Sequence, residues 1–423
     1  MVKQLNMIKK IKKLGTYNLI LFWIGLLFFS CDKAHNDKIK DDLKENINQS
    51  EPNLHKTNDG EILLSYIETD SSNLSTLKWS KLEQDSTWST GKTIASGTDW
   101  FVNWADFPSI ASFENNLTAH YLEKSASDMY AYDIKVIISN NLGESWNTAF
   151  SIHNDSTQTE HGFVSKAALQ DHSMLHVWLD GRKYAYAEKD TTLSKEMTLR
   201  AATFNKDGAL LNSKEIDSKV CDCCQTSTTA TSDGAIVVYR DRSDNEIRDI
   251  YYSKLVDGYW STPKAIFNDG WHLEGCPVNG PVVKSLNNTV AVAWFTAADS
   301  QAKIKIAFSE NSGTTFNQPI ELDYEQTIGR IDLLLTEEKA FVSWLDTRNK
   351  QTAIVLQAIT PKGEKSKVYA VANSSSNRSS GFPKMEFIND NIVLIHTSLN
   401  ENTKRSELQT HFISFNEFNS IVE

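Results

Sequence analysis

Seven short apolar runs recur along this chain of 423 residues, and each contains an aromatic residue or histidine near its end. These marker residues are separated by 50 to 61 positions and lie at Tyr66, Tyr121, Trp178, Tyr239, Trp294, Trp344 and His396. A repeat of this length with several short strands per unit is typical of a β-propeller, whose blades stack radially around a channel. The sequence therefore predicts an all-β propeller of four-stranded antiparallel blades, with seven units as the count and six as the alternative.

Each predicted unit contains four strands in the order a, b, c and d. In residues 281–321 these strands read PVVKS, VAVAWF, KIKIAFS and PIELD. The alternation in KIKIAFS indicates a half-exposed strand, whereas the unbroken apolar run VAVAWF indicates a strand buried on both faces. The last unit has no evident fourth strand, so we expect the N-terminal segment to pair there or the two ends to share a blade. No helix is predicted, because helical periodicity with caps is absent from the sequence.

Two turns between predicted strands c and d follow the pattern Ser-x-Asn-x-Gly-x-x-aromatic. They span Ser139–Trp146 and Ser309–Phe316, and Ser253–Trp260 is a degenerate third copy. The pattern resembles the Asp-box of the bacterial neuraminidase repeat, with Asn141 and Asn311 in the place of the aspartate. This resemblance implies a sialidase-like propeller over nearly the whole mature chain. In that family the Asp-box is a structural element that lies away from the active site.

The first 30 residues resemble a bacterial lipoprotein signal. Five lysines lie between positions 3 and 13, and the eleven-residue apolar run Leu19–Phe29 follows them. This run fits a signal-peptide core and is too short to span a bilayer. Ser30 precedes Cys31, which would become the acylated N-terminus; an ordinary secreted protein with an incidental Cys31 is the alternative. Residues 31–58 are predicted to be a flexible tether, and residues 59–423 the propeller domain.

Lipidation at Cys31 would place the protein in the bacterial cell envelope. Lipid chains tether a protein to a membrane while its body stays in water, so the membrane is an expected partner. We expect a monomer anchored at the outer membrane, facing either the periplasm or the exterior.

The charge of the chain excludes one class of partner. Removing the five lysines of residues 1–30 changes the net charge from -11 to -16. Nucleic acid is not expected as a ligand, because binding to phosphates requires clustered lysine and arginine. The acidity is interpreted as a source of solubility.

The b–c and d–a connections of a propeller emerge around one mouth of the channel, and we call this side the loop face. Strand-end acids close to arginines recur there, which suits recognition of an anion by guanidinium groups. A local ion pair that caps a turn is the alternative for each single copy. The predicted site residues are, as acid/base candidates, Asp180, Asp241 and Asp346, and, as ligand-binding residues, Arg182, Arg242, Arg330, Arg348 and Arg378.

The resemblance to sialidases implies an arginine triad for the carboxylate of sialic acid, a tyrosine nucleophile assisted by glutamate, and an aspartate acid/base. This chain departs from that pattern. It has no arginine before Arg182, and Phe107–Ile110 stands in the place of the early Arg-Ile-Pro motif. No tyrosine follows Tyr369, although the family nucleophile usually comes from the late blades. An exo-sialidase-like hydrolase acting on an anionic glycan is one hypothesis, and a non-catalytic binding scaffold is another.

Four cysteines besides Cys31 lie in consecutive d–a connections, at Cys221, Cys223, Cys224 and Cys276. An oxidising envelope favours disulfides, for instance between Cys224 and Cys276. Thiolates with a nearby histidine, either His161 or His272, would instead suit copper(I) or zinc. Free or redox-active thiols are the third interpretation.

Overall fold

The structure, a computed structural model, describes residues 46–400, 402–415 and 418. The chain divides into two units, Met1–Ile47 with Asp70–Ser72, and Asn48–Thr69 with Asn73–Glu423. The second unit contains seven antiparallel sheets that form a seven-bladed β-propeller. The prediction of seven blades is confirmed, and the six-bladed alternative is wrong. The predicted signal segment and Cys31 lie outside the described residues.

The strands are numbered in chain order, and each blade is given from its innermost strand outwards. The first four blades contain β1 (Asn48–Lys56), β2 (Ile62–Thr69), β3 (Ser75–Lys81) and β4 (Lys92–Gly97); β5 (Ser109–Phe113), β6 (Asn116–Lys124), β7 (Tyr132–Ser139) and β8 (Phe150–Ser151); β9 (His161–Ala168), β10 (Met174–Asp180), β11 (Met197–Phe204) and β12 (Leu210–Val220); and β13 (Ser227–Thr231), β14 (Gly234–Arg240), β15 (Ile250–Val256), β16 (Tyr259–Trp260) and β17 (Lys264–Ala265).

The remaining blades follow the same antiparallel order. They contain β18 (Val282–Leu286), β19 (Thr289–Thr296), β20 (Lys303–Ser309) and β21 (Ile320–Glu321); β22 (Thr327–Leu335), β23 (Ala340–Arg348), β24 (Gln351–Ile359) and β25 (Tyr369–Asn373); and β26 (Lys384–Ile388), β27 (Asn391–Asn400) and β28 (Arg405–Ser414).

Some blades differ from the predicted four-stranded unit. In blade 4 the outermost strand is divided, since both β16 and β17 pair with β15. Blade 7 has three strands among the described residues. The N-terminal strand β1 pairs with β2 in blade 1, so the expectation that it completes the last blade is wrong. This strand lies within residues 31–58, the segment predicted to be a flexible tether. It is ordered there because Leu54 packs against Ile62 and Val393 between blades 1 and 7.

Short helices occur in the connections, contrary to the sequence prediction. An α-helix, α1 (Arg182–Lys189), follows β10, and its start has no side-chain cap that the sequence could have revealed. Single 3-10 turns lie at Ala298–Ser300 and Arg378–Ser380. None of the helices in the described residues has the length and apolar character of a membrane-spanning segment.

The b strands form the centre of the core. Trp178 in β10, Trp294 in β19 and Trp344 in β23 are at most 1 % exposed. Trp344 packs against residues of both β19 and β20, so it joins blades 5 and 6. Large aromatic side chains contribute most of the buried apolar area at such contacts. The prediction that strand b is buried on both faces is therefore confirmed for VAVAWF.

The innermost strands form a ring around the channel. Each first strand lies beside the first strand of the next blade, in the order β1, β5, β9, β13, β18, β22 and β26, and β26 lies beside β1. These strands line a cavity of about 390 Å³. The connections that enter the first strands therefore converge at the mouth of the channel.

Blades 1 and 7 meet at a seam. The indole N–H of Trp88 donates to Thr410 Oγ1 at 2.9 Å, and the backbone N–H of Ser406 donates to Asn48 Oδ1 at 3.2 Å. Within the described ranges, no strand of blade 1 pairs with a strand of blade 7. Side-chain contacts therefore close the ring at this point.

The β7–β8 and β20–β21 turns share one hydrogen-bond pattern. In the first turn, the N–H of Gly143 donates to Ser139 Oγ at 2.8 Å, and the N–H of Ser145 donates to Asn141 Oδ1 at 3.0 Å. The second turn repeats both bonds at 2.9 Å around Asn311. Short polar side chains thus fix both turns, while their assignment as Asp-box repeats stays a prediction.

Gly143 is expected to be the more sensitive of two glycines with similar backbone angles. Gly143 has φ +83 and an added Cβ would lie 2.4 Å from the Trp79 ring, whereas Gly60 has φ +81 and open space around it. We expect Gly60→Ala to lower the free energy of unfolding by about 1 kcal/mol for the backbone conformation alone. Gly143→Ala should cost about 2–4 kcal/mol, because overpacking adds to that cost. Urea unfolding of both variants tests this, and equal losses would contradict the proposed packing contribution.

Candidate functional site

A tryptophan flanked by two arginines lies on the loop face. Trp104, in the connection between blades 1 and 2, stacks on Phe382 with ring centroids 5.7 Å apart. The guanidinium carbons of Arg330 and Arg378 lie 4.8 and 5.9 Å from the Trp104 ring centre. Cations are attracted to the face of an aromatic ring at such distances. We call these four residues the aromatic–arginine cluster.

The two arginines of this cluster differ in their availability. Arg330 is 6 % exposed, and its guanidinium donates to the carbonyl oxygens and hydroxyl of residues 376–381. Burial and the nearby charge of Arg378 lower the pKa of Arg330 to about 10. Arg378 is exposed, and no described residue accepts a hydrogen bond from its guanidinium. Arg330 therefore holds the loop, while Arg378 is free to meet an anion.

Two carboxyl groups share one tyrosine hydroxyl near the same connection. Tyr132 Oη lies 3.0 Å from Asp106 Oδ2 and 2.8 Å from Glu160 Oε1. Tyr132 and Asp106 are buried, whereas Glu160 is partly exposed. A hydroxyl donates one hydrogen bond, so both contacts are satisfied when one of the carboxyls is protonated. We call Asp106, Tyr132 and Glu160 the acid triad.

The surroundings of the acid triad favour a bound proton. Burial raises the pKa of Asp106 to about 7, although it accepts hydrogen bonds from Phe163 and Tyr132. Burial also raises the pKa of Glu160 to about 8; the charges of Asp106 and its acidic neighbours add to this, and the Tyr132 hydroxyl opposes it. The triad therefore carries a transferable proton near neutral pH, and Glu160 is the member that reaches solvent.

Three thiols converge in the connection before β13, and a fourth, Cys276, lies near them and near Glu160. The sulfur atoms of Cys221, Cys223 and Cys224, just before β13, all lie within 4.8 Å of one another. The Cys221 and Cys224 sulfur atoms are 3.5 Å apart. Cys276, before β18, lies close enough to influence the Cys223 thiol, but it does not belong to the group whose sulfur atoms lie within 4.8 Å of one another. His272 does not belong to the group of candidate metal ligands that the described residues form here. We call the four cysteines the thiol cluster.

Two predicted acid–arginine units are local ion pairs. Asp180 accepts two hydrogen bonds of 2.6 Å from Arg182. Asp346 accepts one of 2.9 Å from Arg348, together with two from backbone N–H groups. Both aspartates are completely buried. Burial opposes ionisation of Asp180, but hydrogen bonds from Arg182 and nearby positive charge lower its pKa overall. The capped-turn interpretation describes both units, and their roles in catalysis and ligand binding stay predictions.

The third unit has a different environment. Arg242 binds Glu246 at 2.9 Å and lies 3.5 Å from an oxygen of Asp222. Asp241 is 8 % exposed, and burial together with the charge of Asp217 raises its pKa to about 7. Asp241 therefore stays an acid/base candidate, while the arginine beside it is already paired with carboxylates.

The channel cavity contacts the acid triad through Asp106, which lines its wall. Other charged groups of the wall have partners inside it. Lys284 lies 3.5 Å from Glu386, and Lys166 donates to the carbonyl oxygen of Ser109 at 2.7 Å. The wall therefore presents polar groups that are largely engaged with one another.

Comparison with solved structures identifies the fold class. No protein-family model and no curated protein matches the chain. A polysaccharide lyase of family PL25, an ulvan lyase bound to -[GlcA(1-4)Rha3S]-, is 9 % identical with a TM-score of 0.53, covering 89 % of this chain and 98 % of the lyase. The phage phi92 endosialidase is 8 % identical with a TM-score of 0.50, covering 87 % and 69 %. This is a sialidase-like β-propeller fold.

A third similar structure belongs to a protein of unknown function from Dyadobacter fermentans DSM 18053. It is 10 % identical with a TM-score of 0.51, and the match covers 88 % of this chain and 95 % of that one. Identities of this size support the propeller architecture alone.

Only part of this face was predictable from the sequence. The five predicted arginines do not share one site: Arg330 and Arg378 meet at Trp104, while the other three pair with acids of their own connections. The acid triad was missed, although Asp106 follows Trp104 closely and Glu160 precedes a histidine in a d–a connection. The available signal was that both acids lie just before the first strand of a blade, where connections reach the mouth of the channel.

Proposed function

We propose that the chain is a glycan-binding and glycan-processing propeller whose ligand is an anionic oligosaccharide held at the loop face. The observation that carries this proposal is the partly exposed ring of Trp104 beside the exposed guanidinium of Arg378. Ligand pockets combine aromatic surface with a few placed polar groups. A guanidinium binds carboxylates with two parallel hydrogen bonds. Together the two side chains suit the ring and the acid group of one sugar.

The acid triad supplies proton-transfer chemistry to this proposal. Trp104 and Asp106 belong to one connection, so a glycan on the aromatic–arginine cluster would extend towards Glu160. A carboxyl that is protonated at neutral pH can donate its proton to a leaving oxygen. The lyase and endosialidase names among the similar folds are consistent with a glycan substrate. We further propose a lipid anchor at Cys31, which would hold this face close to envelope glycans.

Arg378→Ala is expected to weaken binding of a carboxylate-bearing oligosaccharide by about 10- to 100-fold, because a charge-assisted hydrogen bond is lost. Titration calorimetry with sialylated and uronate-containing oligosaccharides, and with their neutral counterparts, measures the effect. Lys362→Ala removes the same charge from an exposed c–d turn on the opposite face and should leave affinity unchanged. Equal binding of acidic and neutral oligosaccharides, or no effect of Arg378→Ala, would argue against the proposal.

Product analysis then separates an enzyme from a binding scaffold. Cleavage of the bound oligosaccharide by the wild-type chain supports processing. Retention of the oligosaccharide with no product would leave glycan binding as the function and exclude the catalytic part.

A further inference from the structure

The spacing of the thiol cluster suits a shared metal ion. Two thiolates on a tetrahedral zinc ion lie about 3.8 Å apart, because each Zn–S bond is about 2.3 Å long. The sulfur atoms of Cys221 and Cys224 are 3.5 Å apart, and Cys223 lies within 4.8 Å of both. Cys276 approaches Cys223 from the connection before the next blade. Three soft donors from one connection thus lie around one point, and a fourth is available in the neighbouring connection.

Backbone contacts fix both connections independently of the cysteine side chains. The N–H of Cys221 donates to the carbonyl of Arg240 at 3.1 Å. On the other side, the N–H of Leu273 donates to the carbonyl of Glu246 at 2.9 Å, and the N–H of Arg248 donates to the carbonyl of Trp271 at 2.8 Å. The thiols are therefore positioned by the fold, as the ligands of a preorganised site are.

Buried cations surround the sulfur atoms. Arg248 is 3 % exposed, and its Nη1 has no hydrogen-bond partner among the described residues. Its charge acts on Cys221 and Cys276, while the charge of Arg240, 1 % exposed, acts on Cys221. Asp222 adds a negative charge nearby. Thiolates would give these guanidinium groups anionic neighbours, whereas neutral disulfides would not.

We propose that Cys221, Cys223, Cys224 and Cys276 bind one thiophilic metal ion as thiolate ligands. Zinc(II) is the first choice, since tetrahedral sets of four sulfur ligands suit it, and copper(I) is the second. Four protein ligands fill the coordination shell and leave no position for substrate, so the ion has a structural role. It links the connection before β13 to the connection before β18 beside Glu160. This inference is independent of the proposed glycan function.

The test uses the full chain purified anaerobically, with and without added zinc or copper. Elemental analysis should find about one metal ion per chain, as expected for a closed mononuclear site. Cobalt(II) substitution should give thiolate-to-cobalt charge-transfer absorption and the visible bands of tetrahedral cobalt. Cys224→Ser and Cys276→Ser should each lose most of the metal and the cobalt spectrum. Cys276 is exposed, so its variant still tests the site if the buried Cys224→Ser variant fails to fold.

His272→Ala is the matched control, because His272 is exposed in the same connection as Cys276. It should keep the metal content and the cobalt spectrum. Peptide mapping that finds two disulfides or four free thiols without metal would overturn the proposal, and so would iron with the absorption of an iron–sulfur cluster. Calorimetry of the Cys276→Ser variant with the acidic oligosaccharide separates the two proposals, since glycan affinity is expected to survive loss of the metal.

Discussion

Glu160→Gln is expected to lower kcat for glycan cleavage by about 10²- to 10⁴-fold, which is the usual contribution of a general acid or base. The amide keeps the shape of the carboxyl but cannot release a proton. Affinity for the oligosaccharide should stay within a few-fold of wild type, because Trp104 and Arg378 are unchanged. Steady-state kinetics and calorimetry on the same preparation measure the two quantities.

The pH dependence of the reaction rate is a second test of Glu160. A proton donor is active below its pKa, so the wild-type rate should fall as pH rises through about 8, the value to which burial raises the pKa of Glu160. An unchanged kcat in Glu160→Gln would remove Glu160 from the reaction. Glu274→Gln, at an exposed position on the same face, is the control and should behave as wild type.

Stability tests the raised pKa without any substrate. The pKa of Glu160 is higher in the folded chain than its ordinary value of 4.5, so the folded state binds more protons between these limits. Its contribution is fully present below pH 4.5 and is lost as pH rises through about 8. Glu160→Gln should remove about 1–3 kcal/mol of this pH dependence, as measured by urea unfolding across the range. An identical pH dependence in the variant would contradict the raised pKa.

Arg240→Met is expected to lower the free energy of unfolding by about 3–5 kcal/mol, since it leaves several buried acceptors without a donor. The Arg240 guanidinium donates to the carbonyl oxygens of Arg248 at 2.5 Å, Asn279 at 2.7 Å and Phe295 at 2.7 Å. It also lies over the Trp271 ring at 4.8 Å. These contacts join blade 4 to blade 5 and to the connection that carries Cys276.

Arg200→Met is the matched control for Arg240→Met. Arg200, on β11, binds Glu215 at 2.8 Å in a partly exposed position. Ion pairs of that kind contribute about 0–1 kcal/mol. Urea unfolding of both variants should show the larger loss for Arg240→Met. Similar losses would mean that the buried carbonyl oxygens find other donors.

The architecture was predictable because the strand b pattern is local. Trp178, Trp294 and Trp344 each lie in a mainly apolar run, and each is buried, as a strand between blades requires. The seam was not predictable, since Leu54 belongs to a charged, polar segment and becomes partly buried by packing against residues of both blade 1 and blade 7. Sequence position alone gave no sign of those contacts.

The sequence predicted which connections carry the site residues, but not which side chains contact one another. The sequence placed Arg330 and Arg378 on one face, yet their contact with Trp104 joins residues more than 200 positions apart. It predicted a site role for Arg242, which is paired near the surface, and none for Arg240, which is buried and donates to carbonyl oxygens of the next blade. It also treated Asp180 and Asp346 as candidates, although their hydrogen bonds to Arg182 and Arg348 are local.

The seam between blades 1 and 7 gives the aromatic–arginine cluster a mechanical role. Trp104 enters blade 2 and Arg378 enters blade 7, so the two residues stand on either side of blade 1 and of that junction. A sugar chain held by both would act as a cross-link over the junction between the first and the last described strands, where no chain connection joins the neighbouring blades. A ligand that binds the closed propeller more tightly than the opened one stabilises the closed form. Ligand binding and resistance to opening of the propeller are therefore thermodynamically coupled.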